Sequence, residues 1–350
     1  MGSVSNSESW TAADAAVDRR TVPGHRAAAW VRGLAGAALA FAVGLPALAL
    51  EINIAPDGND KNDGSSPAKA VATLDRAWAL AKSKRNEPVT VLVRPGTYKG
   101  QSLTVDARAG LPPKFEILGR RNEQQDWPVF VGGGAPLTWL TWKQANGKPT
   151  GLRVEGIEIR EYLTAISLDG NRDDAGASNS GTVIRDNVFR RIGSIGTDED
   201  KLSTAVIRLV NSHDNLIEKN RFVTIRNKSG CDALHAVYVA HFSSGNRILG
   251  NTVEDTCGAV VKLRDRANDN VIEGNRFSKV EKAPAVQEWF CDKGARKGCT
   301  KALGECPSTG NVQRGNELNN SVGAKMVSIE GEKQPRGWCE KSDYGSDRVR

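Results

Sequence analysis

Three observations predict an all-β fold for this 350-residue chain, a solenoid of short strands and turns. The first is a phrase that keeps returning: Asn215-Leu-Ile-Glu-Lys-Asn220-Arg-Phe222, Asn246-Arg-Ile-Leu-Gly-Asn251-Thr-Val253 and Asn270-Val-Ile-Glu-Gly-Asn275-Arg-Phe277. Weaker copies flank it, from Thr182 to Phe189 and from Asn311 to Leu318. The second Asn of the phrase, at Asn187, Asn220, Asn251, Asn275 and Asn316, recurs after 33, 31, 24 and 41 residues. Repeats of that length are units that bury an apolar face only by stacking on their neighbours. The second observation is that apolar residues alternate within each unit, as in Val237/Val239 and Val261/Leu263, with no sustained helical period. The third is 36 glycines and many asparagines, the residues that turns use.

Each repeated Asn falls just past a short apolar strand, where the chain must bend. Asn tolerates the left-handed backbone conformation, and its amide can bond to an identical amide one coil away. These residues are therefore expected to form an internal, purely structural ladder. The phrase resembles the repeats of the right-handed parallel β-helix proteins, the superfamily that includes pectate and alginate lyases. The resemblance runs from about Glu51 to about Glu330 and implies a single-stranded solenoid. One such scaffold carries many chemistries, so the repeat alone assigns no activity.

Taken in order, residues 1–32 are polar and mixed, and Gly33 to Leu50 carries no charge. Arg26 and Arg32 precede the apolar run and Ala47-Leu48-Ala49 offers a small-x-small site, so residues 1–49 read as a secretory signal peptide cut after Ala49. Its polar lead is long, and a start at Val22 or Val31 would shorten it. An uncleaved anchor ranks second, because the run is short and holds Pro46. The β-helix domain is expected over residues 50–341, with a disordered tail over 342–350.

The domain opens with Ile52-Asn-Ile-Ala-Pro-Asp57-Gly58, then Ala72-Thr-Leu-Asp-Arg-Ala-Trp-Ala-Leu-Ala81, then Val89-Thr-Val-Leu-Val-Arg-Pro95-Gly96-Thr97-Tyr98. The pattern is strand, Gly/Asp turn, amphipathic helix, strand and tight turn. The helix is placed to cap one open end of the solenoid, where a bare sheet edge would invite aggregation. This order closely resembles the opening of secreted β-helix polysaccharide lyases and epimerases. Asp57, Asp60 and Asp63 are expected to stabilise a cap turn rather than bind calcium, because no later Glu completes a loop. Trp139 and Trp142 are expected in the core of the early coils, as is Trp127. Polar excursions at Asp169–Ser180 and Ile195–Lys201 are loops projecting from turns.

All six cysteines (Cys231, Cys257, Cys291, Cys299, Cys306 and Cys339) follow the expected cleavage site, which argues for disulfides. Cys231 lies 20 residues before Asn251 and Cys257 lies 18 before Asn275, so these two sit at similar positions on adjacent coils and should pair. Residues 291–307 lack repeat character and form a Cys-rich excursion, followed by a short last coil near Met326–Ile329.

Aligning the coils identifies the side chains that stack outside. With Val237/Val239 and Val261/Leu263 inward, Tyr238 and Lys262 point outward, and the preceding coils add Arg208 and Ser167. Arg264 and Arg266 continue on the side of Lys262, and Asp169 shares the rung position of Arg264. Cleaving a uronic-acid glycan by β-elimination needs a cation on the carboxylate, a base for the adjacent C–H and an acid for the departing O4. The column supplies all three residue types, and the family resemblance adds that β-helix lyases commonly use Lys or Arg near such a face. The expectation is that Lys262 is the base, its pKa lowered by its Arg neighbours, that Arg208 and Arg264 hold the carboxylate, and that Tyr238 is the acid. His235 and His241 flank the strand as alternative bases, and Arg266, Asp169 and Ser167 are candidate substrate-binding residues.

Net charge is +7, from 48 basic and 41 acidic residues, and stays +6 without residues 1–49 (44 − 38). Such an excess suits a polyanion. Few Tyr and Phe are interleaved with the basic residues, which argues against nucleic acid, and after cleavage no membrane segment would remain. The expected partner is thus an acidic polysaccharide met by an exported monomer, secreted or periplasmic. A polysaccharide lyase comes first; a C5-epimerase would share its first half-reaction, and a non-catalytic glycan-binding or cell-surface solenoid would need neither. The resemblance also brings in calcium, which commonly assists related lyases by bridging the carboxylate. No acidic cluster stacks in register, so no metal ligands are assigned.

Overall fold

The computed structural model describes residues 49–84, 86–107, 110–291, 304–330, 339 and 349. Residues 1–48, read above as most of a signal peptide, lie outside the described residues, as do most of the Cys-rich excursion and all of the expected tail except Val349. No helix among the described residues is long and apolar enough to cross a membrane.

Short strands follow one another around three parallel sheets of nine, eight and eight strands, each coil adding one strand to each sheet. One coil, for example, runs Leu216–Glu218, Arg221–Ile225 and His235–Ala240, and the next runs Arg247–Leu249, Thr252–Thr256 and Val261–Arg264. Every strand pairs in parallel with its counterpart one coil away. Parallel strands joined through such crossovers coil right-handedly. The molecule is a right-handed parallel β-helix. A small fourth sheet of three two-residue strands runs through Lys148–Pro149, Asn179–Ser180 and Ser212–His213.

The core is a stack of like on like. Phe189 pairs with Phe222, the rings 4.9 Å apart, and Val253 and Phe277 continue the column. Val237, Val239, Val261 and Leu263 all face inward and are buried. At the N-terminal end the helix Leu74–Lys82 closes the solenoid. Thr73 caps it by accepting the Arg76 N–H at 3.1 Å, and its apolar face buries Leu74, Ala77, Trp78 and Ala81. Trp78 meets Phe115 and Trp142 edge-on, 5.2 and 6.2 Å away. Asp60 holds the preceding turn, accepting the backbone N–H groups of Ala72 and Thr73. Trp139 and Trp142 are fully buried, whereas Trp127 is half-buried beneath the Arg121 guanidinium, 3.9 Å from the ring centre.

Two asparagine ladders run inside the turns. Asn187, Asn220, Asn251, Asn275 and Asn316 pass amide to amide at 2.9–3.1 Å. Asn215, Asn246, Asn270 and Asn311 form the second at 2.7–2.9 Å. The left-handed residues are not these asparagines but the ones just before them. Asp186, Lys219, Gly250, Gly274 and Gly315 precede one ladder, and Asp214, Gly245, Asp269 and Gly310 precede the other. Asn is needed for its amide, and its neighbour absorbs the bend. This corrects the role assigned above.

Cys231 is bonded to Cys257, with Cα atoms 5.5 Å apart, and Cys306 to Cys339, with Cα atoms 5.7 Å apart. Val349 bridges Asn311 on the last coil of the second ladder.

Candidate active site

The outer face of the third sheet carries the candidate residues. Period-two alternation puts one outward residue per strand in each vertical column, with rungs about 4.8 Å apart. Ser167 pairs with Arg208, Arg208 with Tyr238, Tyr238 with Lys262 and Lys262 with Gln287. The neighbouring column contains Asp106, Lys143 and Asp169, then Val210, Ala240, Arg264 and Trp289. Positive side chains therefore gather on the middle coils, where the two columns are adjacent.

Two polar segments border this face. The excursion after Asp169 brings Arg172, and residues 304–310 bring Glu305. Glu305 is only 4% exposed and is the hub of the arrangement. Both its oxygens accept from Arg264, at 2.6 and 2.8 Å, and Oε2 also accepts the Cys291 N–H at 2.8 Å. Arg172 stands 3.9 Å away. The remaining arm of Arg264 donates to the Tyr238 hydroxyl at 2.9 Å. On the other side Arg208 donates to Asp169 at 2.6 Å and to the Ser167 hydroxyl at 3.2 Å. Trp289 lies beneath two cations, with Lys262 Nζ 4.8 Å and the Arg264 guanidinium 4.6 Å from its ring. Toward the N-terminal coils the face opens into a pocket of about 500 Å³ lined by Asp106, Lys143, Gln144, Asn146, Asp169 and Asn171.

Several sequence expectations need correction. Tyr238 points outward, yet Arg264 and the His235 ring, stacked 5.7 Å from it, leave it 8% exposed. Arg208 and Lys262 are the more accessible members of its column. His235 is buried, its Nδ1 held by the Ala259 carbonyl at 2.9 Å; burial and the nearby Lys262 push its pKa down to about 3. His241 is also buried, against Asp265 at 2.9 Å, so neither histidine stands at the open face as a base. Arg264 faces the chain's own carboxylate rather than solvent. Arg266 leaves the column because Asp265 and Arg266 both adopt left-handed conformations; it packs over Phe242 and bonds Asp265. Asp169 and Ser167 bind Arg208.

Burial pushes the Tyr238 phenol above its usual value, and the Glu305 charge adds to this, while Arg264 and Arg208 oppose it. The result is a neutral phenol at ordinary pH, which can give a proton. Arg264 remains charged because Glu305 and Tyr238 outweigh its desolvation.

His241, Asp265 and Glu305 bring ligand-type atoms within 4.8 Å of one another. These atoms are already used. Asp265 accepts from His241, Arg266 and the Cys306 N–H, and Glu305 accepts from Arg264. Two guanidiniums in the shell would repel a divalent cation, and calcium needs six to eight oxygens. The trio does not fit the calcium that the family resemblance brought in.

Sequence reasoning missed Glu305, Arg172 and Trp289. Extending the column one coil would have found Trp289, which is two residues past Gln287. Glu305 comes from a stretch without repeat, where register gives no signal.

No protein-family profile matches the chain, and no curated protein matches it. Solved structures do. A pectate lyase, Pel9A, is 11% identical over 81% of this chain and 78% of its own, with a TM-score of 0.44. Pectin methylesterase PemA from Erwinia chrysanthemi is 12% identical over 85% and 86%, with a TM-score of 0.40. Pectate lyase Bsp165PelA from Bacillus sp. N165, in complex with trigalacturonate, is 14% identical over 79% and 84%, with a TM-score of 0.38. What the chain's own three parallel sheets and stacked coils establish is the parallel β-helix fold.

Proposed function

We propose that this protein is a polysaccharide lyase that cleaves a uronic-acid-containing glycan by β-elimination. The observation that supports this reading best is the placement of Arg208, Tyr238 and Lys262 on three successive rungs of one face. Arg208, held by Asp169 and Ser167 through Nη1 alone, turns its other guanidinium edge to the uronate carboxylate and neutralises it, which acidifies the adjacent C5–H. Lys262 takes that proton, the C4–O4 bond breaks as the C4–C5 double bond forms, and O4 leaves with the proton of Tyr238. The pocket beyond Asp169 gives room for a neighbouring sugar. The disulfides Cys231–Cys257 and Cys306–Cys339 favour an exported protein.

The test is to incubate the purified protein with alginate, polygalacturonate, glucuronan and glycosaminoglycans and follow ultraviolet absorbance of the unsaturated product. A rise on one polymer is expected. A change in uronate composition without a rise would replace the reading with a C5-epimerase, and retention with neither would make the protein a glycan binder.

A further inference from the structure

We propose that Glu305 is a positioning residue of this site: its buried carboxylate locks the Arg264 guanidinium onto the Tyr238 hydroxyl, so that the phenol's free proton is the one presented to the departing oxygen. This deepens the lyase reading above and rests on it.

The geometry is specific. Glu305 engages Arg264 through Nε and one terminal nitrogen, the two-pronged pairing that fixes a guanidinium in plane as well as in place. That leaves the other terminal nitrogen directed at Tyr238, 2.9 Å from its oxygen. A hydroxyl accepting from a cation keeps its own hydrogen for donation, and the phenolate formed after donation finds a charge beside it. The proton count closes when solvent carries the proton gained by Lys262 back to Tyr238.

Glu305 is not a loose surface partner. The Cys306 N–H donates to Asp265 and its carbonyl accepts the Arg266 N–H; Ser308 N–H donates to the buried Glu288. The Cys306–Cys339 disulfide fastens the next residue. A stretch outside the repeat thus delivers one carboxylate to the centre of the candidate face. Among the described residues, Arg264, Arg208 and the Glu305 carboxylate act on the Tyr238 phenol, His235 stacks on its ring and Lys262 stands on the next rung.

The experiment is a pair of substitutions with opposite expected signs, read first without substrate. Tyr238 is titrated through phenolate absorbance, its signal assigned by its loss in Tyr238→Phe. In Glu305→Gln the Arg264 charge is no longer offset, so the Tyr238 midpoint should fall. In Arg264→Gln the cation is lost, Glu305 is left unopposed and the midpoint should rise. On the polymer cleaved by the native protein, Glu305→Gln should lower kcat about tenfold or more with KM little changed. It should also move the alkaline limb of the pH profile to lower pH, and Glu305→Asp should recover part of the rate. Unmoved midpoints in both variants, or shifts of the wrong sign, overturn the positioning role even if the protein is a lyase. Shifted midpoints in a protein that cleaves no polymer would instead sink the lyase reading and leave the Glu305–Arg264–Tyr238 coupling standing.

Discussion

At the scale of single residues the site joins accessible cations to a covered phenol. Lys262→Ala and Tyr238→Phe should each reduce kcat about 100-fold or more on the cleaved polymer, the loss ordinarily seen for a proton-transfer group, while the melting temperature holds. His235 makes a different prediction. Its folded pKa is depressed to about 3 from 6.5, so the unfolded chain takes up a proton that the folded chain refuses. Stability is therefore full above about pH 6.5 and declines toward pH 3, by about 1.4 kcal/mol per pH unit from this group. Urea titrations at stepped pH should show that slope, and His235→Gln should flatten it. Alternation made the outward column legible in the sequence, because parity within a strand is a local property. How deeply Tyr238 is covered was not legible, because Glu305 is 67 residues downstream of it in a stretch with no register to count.

At the scale of elements the ladders carry the most testable energy. Asn251 accepts from both the backbone and the amide of Asn220, and donates to Asn275 and to the Ile217 carbonyl. Asn251→Ala would leave several buried groups without partners, at about 1–3 kcal/mol each. Asn316, at the half-buried last rung, should cost less when replaced. Denaturant midpoints of the two variants should separate in that order; equal losses would mean the rungs contribute no more than their surroundings. The repeat phrase disclosed these ladders because each coil must solve the same turn. It did not disclose which residue bends, since Asp, Lys and Gly share the left-handed position and spell no motif. The capping helix was legible from its amphipathic pattern between two strand-like runs, with its start two residues later than that pattern suggested.

For the whole molecule, topology makes neighbouring coils the unit of stability. The Cys231–Cys257 disulfide joins two such coils across 26 residues. Removing it by a double Cys→Ser substitution should cost about 3 kcal/mol in equilibrium unfolding, with activity on the cleaved polymer retained at low temperature. The pairing was readable because both cysteines stand at similar distances before a ladder Asn.

The same linkage has a mechanical consequence. Pulled from its ends in a single-molecule experiment, a coiled strip held only by adjacent turns should peel one turn at a time, until the tether between Cys231 and Cys257 bears the load. Against the double Cys→Ser variant, the native chain should then come up short by the slack stored in that loop, about 90 Å for its 26 residues.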